Sequence, residues 1–200
     1  MTPFQISRAT LVVSVGTALV AAIVVFFLLS SSAKQQSLSE PIGGPFELVD
    51  QDGIRVTEKT FAGKPSVIFF GYTSCTDACP TALLNLSTWL KAIGPDADNL
   101  NVLFVSIDPE RDTSAHLKEY LSSFDSQIRG LTGTDEQIAA VAKKYHVLYY
   151  KAAPLKAGMY SMDHTRAIYL IDRTGKFVDS ISLWTDNKLA IESLRQLAAL

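Results

Sequence analysis

The sequence predicts a mixed α/β domain, a β-sheet with helices on its faces, on three observations. Two runs, PSVIFFGY from Pro65 to Tyr72 and NLNVLFVSID from Asn99, are almost continuously apolar, as strands covered on both faces are. Each is followed by a stretch whose apolar residues recur at helical spacing. The carboxyl-terminal third adds two strand-like runs joined by a tight turn and closed by a last amphipathic segment. Such alternation calls for a sheet flanked by helices, and the sites of such sheets lie beyond the carboxyl ends of the central strands.

The amino-terminal end lies outside that pattern. From Leu11 to Leu29 the chain reads LVVSVGTALVAAIVVFFLL, with neither charge nor proline, long enough to cross a hydrocarbon core of about 30 Å as a helix. A secretory signal has an apolar centre of only about 7 to 15 residues. The run is therefore read as an uncleaved anchor, although Ser31-Ser32-Ala33 has the small residues of a cleavage site. Arg8 and the α-amino group precede the run and Lys34 follows it, a weak bias that places the amino terminus in the cytoplasm and the rest outside it. The leader has no Arg-rich amphipathic transit character, so a bacterial inner membrane is expected, with the globular part in the periplasm. The Ser-rich segment SSSAKQQSLSEPIGG reads as a tether. The expected organisation is a cytoplasmic end over residues 1–10, a transmembrane helix over 11–29, a linker over 30–44 and one domain over 45–200.

Within the domain, FELVD and IRVT flank Gln51-Asp52-Gly53 and suggest a hairpin with the glycine in a left-handed turn position. After the first apolar strand, Leu83, Leu86 and Leu90 give a helix one inward stripe, ending near Gly94-Pro95. Leu117, Tyr120 or Leu121, and Phe124 do the same behind the second strand. Thr134 and Gln137 have the form of a capping box, and Ile138, Val141 and Tyr145 face inward behind it. VLYYK is a short strand. TRAIYLID and KFVDSIS form a hairpin around Arg173-Thr174-Gly175, and Leu189, Ile191, Leu194 and Leu197 make the terminal helix.

The balance of 18 Lys+Arg against 20 Asp+Glu gives a formal charge of -2, with no basic block to follow a phosphate backbone, so nucleic acid is excluded as a partner. The two cysteines are too few for a disulfide framework or a four-thiolate zinc site. They act as a pair, in GYTSCTDACP from Gly71 to Pro80. Pro80 belongs in the first turn of a helix, which puts Cys79 at or beside its start and Cys75 in the loop before it. There the unpaired N–H groups favour thiolate, the form that binds metal or attacks a disulfide. Three residues separate the cysteines, where the usual disulfide-exchange motif has two.

Two soft thiolates and one imidazole suit copper, as Cu(I) or Cu(II), whereas structural zinc wants a fourth donor. Of the three histidines His164 is best placed, after the irregular segment AAPLKAGMYSMD and directly before the strand TRAIYLID, where a loop at the sheet's edge would leave it freedom to move. His116 reads as a solvent-facing helix residue and His146 as a helix end. A plain disulfide is the simplest alternative for the pair. Asp77 either accepts loop N–H bonds or steers the cation. Met159 and Met162 fill gaps or offer thioethers during transfer. Asp108-Pro109-Glu110-Arg111-Asp112 reads as an exposed turn before a helix.

Taken together, FFGYTSCTDACP, SIDPERDT, GLTGTDEQIAAVAKKYHV and MDHTRAIYLIDRTGKF resemble the Sco/SenC family of copper chaperones for assembly of the copper A site of cytochrome c oxidase. The resemblance covers nearly all of residues 45–200, with Arg173 where many relatives carry proline. It implies a thioredoxin-like fold with an inserted hairpin, copper ligands at Cys75, Cys79 and His164, and anchoring to the inner membrane by the amino-terminal helix. It also implies the copper A subunit as recipient, with other copper chaperones as further partners. The function expected is metal delivery rather than enzymatic turnover. The alternative is a thiol-disulfide oxidoreductase that uses Cys75 and Cys79 to reduce the cysteines of the recipient, and a copper or redox sensor is a third reading.

Overall fold

The structure, a computed structural model, describes residues 23–26, 41–152 and 160–200. Pro41–Leu200 forms one compact unit. Residues 23–26 are helical. The rest of the expected 11–29 span, and the 30–40 part of the linker, lie outside the described residues. Among the described residues no helix is long and apolar enough to cross a membrane.

Seven strands form the main sheet: β1 (Glu47–Asp50), β2 (Arg55–Thr57), β3 (Ser66–Gly71), β4 (Asn101–Ser106), β5 (Ile128–Thr132), β8 (Ala167–Ile171) and β9 (Phe177–Ser182). Their order is β2-β1-β5-β4-β3-β8-β9. The central β5, β4 and β3 run parallel, and the strands on either side run antiparallel to them. All six residues of β3 are buried, as are five of the six in β4, which requires cover on both faces. The run of β-branched and aromatic residues in PSVIFFGY meets that requirement.

Four helices supply the cover: α1 (Ala78–Ile93), α2 (Ser114–Leu121), α3 (Asp135–Lys144) and α4 (Asn187–Ala198). The caps are the ones the sequence signals. Gly94, with a φ of 65°, ends α1, and Thr134 with Gln137 makes the capping box of α3. Trp89, fully buried, donates from Nε1 to Asn187 Oδ1 at 2.8 Å and so ties α1 to the start of α4. The first hairpin turns at Gly53, whose φ is 79°, and the last at Gly175, whose φ is 85°. Both are conformations that glycine adopts without penalty.

Two elements depart from the expectation. Strand β5 is absent from the sequence reading because Arg129 and Gly130 interrupt its apolar pattern. Gly130 is needed for packing, since a Cβ there would lie 2.7 Å from Leu121 Cδ1 and 3.2 Å from Leu117 Cβ, on α2. His164 is also not on a loop, and residues 153–159 of the stretch before it lie outside the described residues. Met162–His164 is a strand, β7, paired antiparallel with β6 (Tyr149–Lys151) as a separate two-stranded sheet. His164 lies directly opposite Tyr149.

Candidate metal centre

The topology explains how residues 85 positions apart come together. Cysteines that follow β3 emerge at its carboxyl end. Because β8 is antiparallel to β3, with Phe69 opposite Ile168, the amino end of β8 lies at the same edge, and His164 sits three residues before it. The arrangement obeys the rule for open α/β sheets, in which sites gather beyond the carboxyl ends of the parallel strands.

Cys79 is the second residue of α1, with Asp77 as the capping position. Pro80 is therefore in the first turn, where its missing N–H costs nothing. Cys79 is fully buried and Cys75 half-buried, and both are free thiols. Glycine at position 71 lets the inner sulfur rest against the strand, because a Cβ there would lie 3.0 Å from Cys79 Sγ and 2.8 Å from the Phe104 ring. The Cys75 sulfur accepts the Cys79 N–H at 3.4 Å and takes over the helix-capping role that the Asp77 side chain leaves open. Of the two roles expected for Asp77, accepting a loop N–H is taken here by the sulfur. Asp77 is exposed at the mouth of the site.

Electrostatics divide the two sulfurs. The Cys79 thiol, helped by the N–H groups of Asp77 and Cys79 and the Tyr72 hydroxyl, draws the Cys75 pKa from 9.0 down to about 5 against the cost of burial. The hydrogen bond to Cys75, together with burial, pushes the Cys79 pKa up. At neutral pH the pair is one accessible thiolate backed by one thiol. Because folding lowers the Cys75 pKa, its contribution to stability is full above about pH 9 and is lost as pH falls toward 5. Rapid alkylation mapped by mass spectrometry should therefore modify Cys75 first, at a rate that holds on acidification until pH approaches 5. Equal labelling of both cysteines, or a Cys75 rate that collapses below pH 9, would contradict this division.

His164 Nδ1 donates to the Thr165 carbonyl at 2.8 Å. A carbonyl only accepts, so Nδ1 carries the proton, and in the neutral ring the Nε2 lone pair is turned to the Cys79 sulfur. Nε2 lies 3.7 Å from Cys79 Sγ. The ring stands between Phe69 and Tyr72, with centroids 6.2 and 6.0 Å away. Burial lowers its pKa, which keeps it neutral and ready to bind a cation. The loop position expected from sequence is replaced by a place at the end of a strand.

Other candidates are distributed as follows. Met162 is buried in the core and also lines the cavity beside Cys75 and His164, and Met159 lies outside the described residues. His146 follows α3 with a φ of 53°. His116 is solvent-exposed, as expected, yet its Nε2 meets Thr73 Oγ1 at 3.0 Å. The Asp108–Asp112 segment contradicts the exposed turn expected of it, since Asp108 is 2% and Asp112 0% exposed. Asp112 accepts from Thr73 N at 3.0 Å, from Thr73 Oγ1 at 2.5 Å and from Ser106 Oγ at 2.6 Å. It therefore holds the segment that leads into Cys75. Sequence reasoning missed this because its partner in Thr73 is 39 residues away.

The donor set fits a soft metal. Bonds of about 2.3 Å to sulfur and about 2.0 Å to nitrogen, opened to a trigonal angle, separate the two donors by about 3.7 Å. That is the Cys79–His164 spacing found here. Among the described residues no three His, Cys, Asp or Glu side chains are already drawn together tightly enough to hold an ion. Cys75 is the more exposed of the two sulfurs.

The model of the SCO1/SenC family matches residues 34–199. The chain belongs to that family. It is 41% identical over 155 residues to the yeast mitochondrial protein SCO1, an alignment covering 76% of this chain and 52% of the yeast protein. It spans about half the length of such curated relatives. Among solved SCO1/SenC structures, Bradyrhizobium japonicum ScoI with copper bound is 49% identical, with a TM-score of 0.73 over 78% of this chain and 99% of that one. Yeast Sco1 with copper bound is 40% identical, with a TM-score of 0.72 over 78% of this chain and 87% of that one. The mixed sheet flanked by helices is the fold of these SCO1/SenC relatives.

Proposed function

We propose that this protein is a membrane-anchored copper chaperone that holds one copper ion through Cys75, Cys79 and His164. It passes the ion to the copper A subunit of cytochrome c oxidase. The observation that carries the reading is the 3.7 Å approach of His164 Nε2 to Cys79 Sγ, an imidazole lone pair facing a thiol, both of which a soft metal can bind once the thiol gives up its proton. Copper-bound relatives at 49% and 40% identity support it. Copper is cargo here. Thiolates favour the monovalent ion and imidazole accepts either valence, a combination suited to capture from other chaperones and release by ligand exchange.

The anchor completes the proposal. Residues 11–29 span a bacterial inner membrane, residues 30–44 tether the domain, and the domain over 45–200 works in the periplasm beside its recipient. The uncharged apolar run and the Ser-rich stretch after it support this organisation.

A second reading is favoured by one observation, the low pKa of the half-exposed Cys75. It would let the pair reduce a disulfide on the recipient, with Cys75 attacking and Cys79 resolving. The full chain in detergent, loaded with one copper and mixed with apo copper A subunit, separates the two. Transfer that His164→Ala prevents supports the chaperone. Metal-free reduction of an oxidised subunit, one disulfide for each Cys75–Cys79 disulfide formed and unchanged by His164→Ala, supports the reductase and overturns the first reading.

A further inference from the structure

The turn from Asp108 to Asp112 carries charged groups that the copper reading does not use. Asp112 holds Thr73, two residues before Cys75, as described above. The other end of the turn reaches the opposite limb of the site. Asp108, 2% exposed, accepts from the Arg111 guanidinium through Nε and from the Tyr160 hydroxyl at 2.7 Å. Arg111 Nη1 donates to the Tyr160 carbonyl at 3.0 Å. Its guanidinium lies 3.7 Å above the Tyr160 ring and 5.7 Å from the Tyr72 ring. Tyr160 is four residues before His164, at the mouth of the β6–β7 hairpin, where Ala152 N donates to Ser161 O at 2.8 Å. Lys151 and Glu110 bridge the same place at 2.6 Å.

The arrangement is costly as a device for stability alone. Burying the Asp108 carboxylate loses hydration that an ion pair recovers only with good geometry, and an apolar replacement would often hold the fold as well. A planar, forked guanidinium that grips a carboxylate and a carbonyl at once, while stacked on tyrosine, fixes direction as well as distance. The direction fixed is that of the strand bearing His164.

We propose that Arg111 is a positioning residue for His164: clasped by Asp108 and stacked on Tyr160, it holds β7 so that the imidazole faces Cys79. One turn then sets both limbs of the site, the cysteine limb through Asp112 and the histidine limb through Asp108 and Arg111. The inference rests on the copper reading of the site, with His164 as a ligand.

A double-mutant cycle on the full chain in detergent, loaded with Cu(II), tests it. The dissociation of copper into excess chelator is timed for the parent, Arg111→Leu, His164→Ala and the double variant. Electron paramagnetic resonance follows the nitrogen coupling. Arg111→Leu should speed dissociation about tenfold or more, the usual effect of removing a group that orients a ligand, and should weaken the nitrogen coupling. In the His164→Ala background the same change should have no further effect. Arg111→Lys, which keeps a charge for Asp108 but loses the fork, should fall between.

An equal acceleration in both backgrounds would overturn the proposal, because Arg111 would then act other than through His164. A lowered melting temperature with parental dissociation and nitrogen coupling would overturn it too, as a purely structural role. If His164→Ala itself leaves dissociation unchanged, the copper reading fails and this inference with it. Should Arg111→Leu not fold, Arg111→Lys and Tyr160→Phe carry the same cycle with the same criteria.

Discussion

Cys79→Ala is expected to abolish stoichiometric copper binding while the domain remains folded. The sulfur removed is the inner donor, fully buried against Gly71 and 3.7 Å from His164 Nε2. Groups that merely orient a metal ligand are worth about 10 to 100-fold in affinity, so loss of a ligand should exceed about hundredfold. Competition against a chelator of known affinity measures it. A second readout comes from the partner sulfur. The Cys79 thiol is the largest cause of the low Cys75 pKa, so in Cys79→Ala the onset of Cys75 alkylation should move to higher pH. Parental copper affinity in this variant would remove Cys79 from the site.

Asp112→Ala is expected to be the most destabilising single change around the site, by about 3 to 5 kcal/mol. Its carboxylate takes three donors, the Thr73 N–H, the Thr73 hydroxyl and the Ser106 hydroxyl. The residue is fully buried, and each donor left without a partner costs about 1 to 3 kcal/mol, with some of that recovered by relaxation or an entering water. Chemical denaturation at neutral pH checks the figure. The damage should also reach function, because Thr73 leads directly into the cysteine loop and the copper affinity of whatever remains folded should fall. A loss below about 1 kcal/mol would show that the network is solvated rather than sealed.

Much of this architecture was legible in the chain, and the reason is local. The apolar runs of β3 and β4, the Leu83–Leu86–Leu90 stripe of α1, the capping box at Thr134 and the glycines at the two hairpin turns each carry their signal within a few residues. The pairing of Cys75 with Cys79 and the place of Pro80 were legible for the same reason. What the sequence hid depends on distant partners. Strand β5 looks broken at Arg129 and Gly130, because its glycine answers to Leu117 and Leu121 on α2. His164 looked like a loop residue because the strand it belongs to exists only against Tyr149–Lys151. The charged run at Asp108–Asp112 looked solvated, since nothing local shows that Thr73 and Tyr160 arrive to satisfy it. Long-range hydrogen bonds to charged side chains bury residues that composition assigns to the surface.

The membrane anchor stands differently. Proposed for residues 11–29, it rests on the length and apolarity of that run alone, and the folded domain from Pro41 onward neither requires nor opposes it. The convergence of the candidate ligands, by contrast, comes from the fold, because the antiparallel placement of β8 beside β3 carries His164 to the cysteines.

The most direct measurement is X-ray absorption at the copper edge on the full chain loaded with one equivalent of Cu(I) without oxygen. Three protein donors at one ion predict two sulfurs and one nitrogen in the first coordination sphere, with the nitrogen lost in His164→Ala. A sphere with fewer than two sulfurs, or one whose nitrogen survives that substitution, would contradict the account.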